Sequence, residues 1–195
     1  NSDADFGPDG KLYVLDFGGG WEPSGKGGIY TMEWPEGQAR PVVAETAALL
    51  KQGFTSLKPD QLTAFLGHPD QRVRLRASAA LAGQGKEAVA EVAAWTARAE
   101  GVARWTGIWT MGQLHALQEL RPYLTNPDAE TRAQAARTLG QLRDAGASSG
   151  ILELLRDESP RVRSLAAIAL GRLGTAGAVP GIVSMIAGQG SADPF

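Results

Sequence analysis

Hydrophobic and polar positions follow two different periods along the chain, and the change occurs near residue 40. Before it they alternate. Leu12 and Val14 share one face of an extended segment that follows an Asp-Gly turn signal, and residues 29–34 form a second strand-like stretch beyond a glycine-rich loop. The pattern predicts a β-hairpin within residues 1–34. Because two strands alone are marginally stable in water, we expect this hairpin to complete a larger sheet.

Residues 35–47 are predicted to be a linker, because their first part is polar and contains Pro35, Gly37 and Pro41. Beyond this segment the composition shifts to Ala, Leu, Gln and Arg, which favour helices. Residues 44–51 are expected to add a capping helix where the helical part begins. The predicted domains are therefore the hairpin at 1–34, the linker at 35–47 and a helical domain at 48–195.

The helical domain repeats itself at an interval of about thirty residues. Each copy has an arginine, a small residue three positions later and a Leu or Met seven positions later. These ladder arginines, spaced by 30, 28 and 31 residues, are Arg74, Arg104, Arg132 and Arg163. The copy around Arg104 is the most divergent. Four copies in register predict a repeat protein.

The repeat positions predict an amphipathic helix in each copy. The positions one before, three after and seven after the arginine fall on one helical stripe, and in the copies that are most alike they are Val73, Ala77 and Leu81, or Val162, Ala166 and Leu170. Small residues on this stripe let a neighbouring helix approach closely. Asp70, Asp128 and Ser159 stand where the N-cap is expected, and shorter amphipathic segments alternate with these helices. One helix pair cannot cover its own apolar face, so the pairs must stack into a solenoid.

Composition limits the chemistry of the chain. The formal net charge is −2 and the pI is near 5.7, so the broad positive field of a nucleic-acid-binding protein is missing. The sequence contains no cysteine, which excludes disulfides, thiolate metal sites and cysteine nucleophiles within these residues. No apolar run approaches the ~20 residues that span a bilayer. Because the chain starts at Asn1 without a Met or a signal-peptide core, we expect it to be a piece of a longer polypeptide.

The helical domain resembles a known repeat family. The pattern Asp-x-x-Val-Arg-x-x-Ala-x-x-x-Leu-Gly, over about residues 56–190, is similar to the phycobilisome-lyase type of HEAT-like repeat. The resemblance implies a mainly α fold, a right-handed HEAT-like α-solenoid of helix pairs. It also implies that the ladder arginines and the turn carboxylates link adjacent repeats by hydrogen bonds. These structural carboxylates are Asp70, Asp128 and Asp157.

The first 34 residues carry a second resemblance. Residues 6–16 and 25–30 are similar to the last blade of a β-propeller of the glucose and sorbosone dehydrogenase type. This order of domains also resembles exported membrane-bound dehydrogenases of planctomycetes and verrucomicrobia. The resemblance implies a periplasmic or otherwise exported protein. The dehydrogenase activity itself does not carry over, because no residue here matches the catalytic His and Arg positions of that family.

We predict no catalytic, cofactor or metal site in this chain. Residues 20–27 nearly match a phosphate-binding loop, but Gly27 stands where Ser or Thr is needed and a strand follows. Asp3, Asp5, Asp9 and Asp16 could ligate Ca²⁺, although Asp-Gly turns need Asp in any case. The only histidines, His68 and His115, are expected to be structural.

The aromatic residues of the divergent copy give the candidate contacts for a partner. Trp95, Trp105 and Trp109 cluster there, and packing in the core is favoured for the cluster as a whole. Trp109 and Arg137 both lie five positions after a ladder arginine, where the buried stripe leaves a side chain either outward or at a helix interface, so they are the candidate partner-binding residues.

Two main functions are weighed from these observations. The first is a non-catalytic scaffold or docking arm that binds a protein partner or other domains of the same polypeptide, with no nucleic acid and no membrane span. The alternative is the C-terminal part of an exported quinone- or haem-linked sugar or alcohol dehydrogenase whose catalytic site lies outside this chain. A third possibility, a lyase or isomerase acting on bilin chromophores, follows from the family name of the repeat alone.

Overall fold

The computed structural model describes residues 3–16, 18 and 27–188. It begins with a three-stranded antiparallel sheet in the order β1-β2-β3, and continues as a series of short helices. The strands are β1 (Asp3–Phe6), β2 (Leu12–Asp16) and β3 (Gly28–Met32). The helices are α1 (Pro35–Gln38), α2 (Pro41–Gln52), α3 (Pro59–Ala64), α4 (Gln71–Gln84), α5 (Val89–Arg98), α6 (Gly101–Gln113), α7 (Leu117–Leu120), α8 (Ala129–Gln141), α9 (Ser148–Glu153), α10 (Pro160–Leu173) and α11 (Val179–Gly188).

The sheet contains one strand more than the predicted hairpin. Leu12 pairs with Met32 across β2 and β3, and with Phe6 across β1 and β2. Strand β1 was missed because half of its four residues are Asp, which is depleted in strands. All four of its residues are exposed.

The segment 35–47, expected as a linker, holds α1 and the first half of α2. The two prolines that suggested a linker stand at the first turns of these helices, since α1 begins at Pro35 and α2 at Pro41. A proline is favoured there because its fixed φ suits the helix and no hydrogen bond is lost. The expected capping helix at 44–51 is therefore the larger part of α2.

Beyond α2 the chain forms a two-layered α-solenoid of helix pairs. The helices that bear the ladder arginines, α4, α6, α8 and α10, each pack against the next and make one layer. The shorter helices α3, α5, α7, α9 and α11 alternate with them, and each is continued or preceded by a 3₁₀ turn. The core lies between the two layers and includes Leu62, Val92, Leu120 and Ile151.

The predicted buried stripe is confirmed. Val73, Ala77 and Leu81 have no exposed surface, and the same is true of Val162, Ala166 and Leu170. Burying a Val or Leu side chain contributes roughly 1.5–3 kcal/mol, so this repeated stripe is a main source of stability. No helix in the described part of the chain is long and apolar enough to cross a bilayer.

Candidate interaction surface

Three of the ladder arginines hold the turn that precedes their own helix. Nη1 of Arg74 donates to the carbonyl oxygens of His68 and Pro69, at 2.7 and 2.8 Å. Arg132 and Arg163 repeat this geometry on the carbonyls six and five positions before them, at 2.8 and 3.0 Å in each case. A guanidinium carries several donors in a fixed plane, so it can satisfy two carbonyls that the turn leaves unpaired. The guanidinium groups of these arginines are thus engaged in hydrogen bonds within their own repeats.

Arg132 also links its repeat to the next one. Its Nε and Nη2 donate to the two carboxylate oxygens of Asp157 at 2.7 and 2.8 Å. Both side chains are nearly buried, with exposed fractions of 11% and 6%. The hydrogen bonds from Arg132 hold the pKa of Asp157 below its ordinary value, because they stabilise the ionised carboxylate.

Asp70 and Asp128 cap the helices that follow them. Asp70 accepts from the backbone N–H of Arg72 at 2.8 Å, and Asp128 accepts from that of Thr131 at 3.0 Å. Ser159 is also an N-cap residue, but its side chain makes no capping hydrogen bond. Asp157, two residues earlier, instead accepts from the backbone N–H of Ser159 at 2.8 Å.

Arg104 does not make the bonds of the other ladder arginines. Its Nε is buried without a hydrogen-bond partner among the described residues. The reason lies in the chain before it, since α6 begins at Gly101 directly after its N-cap residue Glu100 and the turn found in the other copies is replaced. Asp128, the turn carboxylate of the next copy, accepts a hydrogen bond from Nε1 of Trp105 at 3.3 Å.

Two further ion pairs join neighbouring repeats and were not predicted. Arg121 donates to both carboxylate oxygens of Asp144 at 2.7 and 2.8 Å. Arg161 donates to both oxygens of Glu130 at 2.6 and 3.1 Å, and these bonds hold the pKa of Glu130 below its ordinary value. No sequence signal identifies them, since each partner lies 23 or 31 residues away.

Trp109 and Arg137 occupy equivalent positions on neighbouring helices, and both are exposed. The indole of Trp109 is 44% exposed on α6. Arg137 lies on the same side of α8, and Ile168, 48% exposed, takes the equivalent position on α10. The exposure of these three side chains agrees with the prediction that this position lies away from the core.

These residues belong to a larger exposed surface, which we call the outward stripe. It comprises the positions two before and two, five and nine after each ladder arginine, which fall on one side of a helix. None of the sixteen residues is buried. They are Arg72, Arg76, Ala79 and Gly83 on α4; Val102, Thr106, Trp109 and Gln113 on α6; Glu130, Gln134, Arg137 and Gln141 on α8; and Arg161, Leu165, Ile168 and Arg172 on α10.

A cleft of about 240 Å³ opens beside Trp109 between α6 and α8. Gln113 and Gln141 of the outward stripe line it, together with His115. His115 is exposed and adopts a positive φ of 53° at the end of α6. The cleft thus combines one aromatic face with polar groups that can donate and accept hydrogen bonds.

The other aromatic and histidine candidates lie inside the fold. Trp95 is partly buried against the core, and Trp105 is half-buried and donates to Asp128. His68 is buried, and its Nδ1 accepts from the backbone N–H of Asp70 at 3.0 Å. These three side chains support the repeats and do not form a site.

A second cleft, of about 300 Å³, lies where the sheet meets the first helices. Its charged groups are already engaged. The Arg40 guanidinium stacks on the Trp34 ring at 5.1 Å, and Arg72 pairs with Asp70 and donates to the carbonyl of Phe6. This cleft joins the sheet to the solenoid, and each charged side chain among its described lining residues contacts another group of the protein.

The described residues contain no group of three or more His, Cys, Asp or Glu that could hold a metal ion. Asp9, a candidate Ca²⁺ ligand, accepts hydrogen bonds from the Lys11 backbone N–H at 3.2 Å and from the Tyr13 hydroxyl at 3.0 Å. It therefore serves the turn between β1 and β2. The loop that resembles a phosphate-binding loop lies, apart from Gly27, outside the described residues.

Comparison with known proteins agrees with this architecture. Residues 117–191 match the family model of HEAT repeats, whereas no curated protein is significantly similar in sequence to the chain. Among solved structures, the complex of CpcE and CpcF of phycocyanin lyase from Nostoc sp. PCC7120 is similar with a TM-score of 0.55 and 21% identity, covering 70% of this chain and 91% of that chain. An engineered protein is similar with a TM-score of 0.43 and 19% identity, covering 69% and 73% of the two chains. Residues 117–191 are therefore similar to HEAT repeats, and the fold that contains them is an α-solenoid of helix pairs.

Proposed function

We propose that this chain is a non-catalytic scaffold or docking arm that binds a protein partner or another domain of a larger protein. The observation that carries the proposal is the outward stripe. It presents Trp109, Arg137 and Ile168 at equivalent positions on three successive helices. Exposed Trp and Arg are the residues that most often dominate binding energy at protein interfaces.

The distribution of polar groups supports this function. The turn carboxylates and three of the four ladder arginines are used in caps, turns and inter-repeat bonds. Such groups hold the repeats in a fixed stack and are not available for chemistry. A rigid stack with one exposed side gives an extended surface, which is the form in which repeat proteins bind their partners.

Co-purification from the source organism tests the scaffold function. The tagged chain should retain a specific protein, and a variant with both Trp109→Ala and Arg137→Gln should lose it. The matched control is Arg98→Gln, because Arg98 is exposed on α5, in the other layer of helices. If all three proteins retain the same set of partners, or none retains any, the outward stripe is not a docking surface.

A second candidate is the C-terminal part of an exported dehydrogenase whose catalytic site lies outside this chain. The observation that favours it is the sheet, whose side chains Phe6, Ile29, Tyr30 and Met32 are all about 60% exposed or more. Such side chains gain stability when further strands or another domain cover them. The reading frame of the gene tests this candidate: further propeller blades upstream would support it, and their absence would count against it.

A further inference from the structure

The two layers of the solenoid differ in formal charge. Helices α4, α6, α8 and α10 contain nine arginines and one glutamate, a formal charge of +8. The helices α3, α5, α7, α9 and α11, with the 3₁₀ turns that continue or precede them, contain five carboxylates, three arginines and one lysine, a formal charge of −1. The net charge of −2 for the whole chain conceals this separation.

Three of the nine arginines are exposed and make no ion pair with a described residue. They are Arg76, Arg137 and Arg172, and all belong to the outward stripe. The one acidic residue of the stripe, Glu130, is neutralised by its two bonds with Arg161. The field above this side of the solenoid is therefore positive.

Apolar side chains alternate with these cations. Val102, Trp109 and Ile168 are 52%, 44% and 48% exposed on the stripe, and the cleft between α6 and α8 opens next to Trp109. A cleft beside an exposed aromatic face is a place where an apolar anchor of a partner can enter. The four helices that carry the stripe pack side by side about 10 Å apart, so the stripe is about 30 Å wide. A peptide of roughly nine residues in extended conformation has this length.

We propose that the outward stripe binds an acidic protein segment that carries bulky apolar side chains. This rests on the proposed scaffold function and names the chemistry of the partner. Asp and Glu of the segment pair with Arg76, Arg137 and Arg172, while an apolar side chain packs on Trp109 and enters the cleft. A nucleic acid fits less well, because the unpaired cations are few and alternate with apolar groups instead of following a phosphate backbone.

Fluorescence anisotropy with labelled peptides tests the proposal on the full chain. The probe is a twelve-residue peptide that alternates pairs of Glu with single Phe or Leu residues. Two matched peptides replace Glu by Gln or the apolar residues by Ser, and an oligothymidylate of equal charge represents nucleic acid. The acidic apolar peptide should bind at least about tenfold more tightly than either matched peptide, and its binding should weaken as salt is raised.

Variants locate the binding site. Arg137→Glu and Trp109→Ala should each weaken binding of the acidic peptide about tenfold or more, whereas Arg98→Gln should leave it unchanged. Both altered side chains are exposed, and thermal unfolding of each variant verifies that it is folded. The proposal would be overturned if all peptides bound equally well or if the oligothymidylate bound more tightly than the acidic apolar peptide. It would also be overturned if Arg98→Gln weakened peptide binding as much as Arg137→Glu and Trp109→Ala do.

The outcome is distinguishable from a failure of the scaffold function. If a protein co-purifies through Trp109 and Arg137 but the acidic peptide does not bind, the scaffold stands and the proposed partner chemistry is wrong. If neither occurs, both proposals fall.

Discussion

Arg132 and Asp157 lie in adjacent repeats, 25 residues apart, and share two hydrogen bonds of 2.7 and 2.8 Å. The same guanidinium holds the turn carbonyls of Asn126 and Pro127. One side chain therefore fixes both the turn of its own repeat and the position of the next repeat. Because the pair is nearly shielded from water, removing Asp157 leaves the charge of Arg132 with only the distant, exposed carboxylate of Glu158 at 3.7 Å.

The first prediction compares this pair with an exposed one. Asp157→Ala should lower the free energy of unfolding by about 3 kcal/mol, because the nearly buried Arg132 loses its bidentate partner and keeps only a 3.7 Å contact with the exposed carboxylate of Glu158. Glu130→Ala should cost only about 0.5 kcal/mol, since its partner Arg161 is 60% exposed and remains solvated. Urea denaturation followed by circular dichroism measures both values. Equal costs would show that burial does not set the strength of these inter-repeat pairs.

The second prediction concerns acid. The pKa of Asp157 is lowered in the folded state by its hydrogen bonds with Arg132, and the pKa of Asp144 is lowered by those with Arg121. The unfolded chain therefore binds protons more readily at these groups, and stability falls as the pH drops below the ordinary Asp value of about 3.9 towards the lowered values. Above that pH their contribution is complete.

Thermal unfolding between pH 7 and pH 3 measures this effect. The melting temperature should change little down to about pH 4.5 and then fall. Asp157→Asn should start from a lower melting temperature and show a shallower fall, because one of the linked groups has been removed. Glu153→Gln, an exposed change on α9, is the matched control and should follow the wild-type curve. An unchanged slope for Asp157→Asn would contradict the linkage.

The helical repeats could be predicted from sequence because burial in a solenoid depends on local spacing. Val73, Ala77 and Leu81 are buried since each lies on one stripe of one helix, and that stripe can be identified without knowing its neighbours. The ladder position of Arg104 was identified in the same way. Its missing turn contacts were not, because they depend on the backbone path through Glu100 and Gly101.

The inter-repeat pairs and the N-terminal helices show where sequence reasoning stops. Arg121 and Asp144 meet because two repeats stack with a particular offset, and no spacing rule within one helix gives that offset. Pro35 and Pro41 stand at helix starts, although in sequence a proline signals a break as readily as a start. The outward stripe could be located from the period, but the pairing of its Arg161 with Glu130 could not, because this pair joins two repeats.

The third prediction follows from a shared backbone feature. The residue eleven positions after each ladder arginine has a positive φ in all four copies: Gly85, His115, Arg143 and Gly174. At Gly174, where φ is 68° and ψ is 28°, a Cβ would meet no atom within 4 Å, so a side chain there has a backbone cost alone. Gly174→Ala should therefore destabilise the protein by about 1 kcal/mol.

Gly83→Ala is the matched change for that position. Gly83 is the second-last residue of α4, and a Cβ there also meets no atom within 4 Å. Since alanine favours the helical backbone over glycine, this variant should be more stable by about 0.5 kcal/mol. The two variants should shift the urea midpoint in opposite directions, and a shift of the same sign would exclude a backbone origin.

The last prediction uses two equivalent glycines, Gly140 and Gly171, which lie eight positions after Arg132 and Arg163. A Cβ on Gly140 would lie 2.5 Å from the Cβ of Ala169 and 2.6 Å from its Cα, so α8 and α10 would have to move apart. Gly140→Ala should cost about 1–3 kcal/mol, because a backbone atom cannot give way as a flexible side chain does. At Gly171 no atom lies within 4 Å, and Gly171→Ala should stabilise the protein by about 0.5–1 kcal/mol. Urea denaturation of both variants tests whether the close approach of α8 and α10, and not helix propensity, requires glycine at position 140. A gain of stability in both variants would show that close approach does not require it.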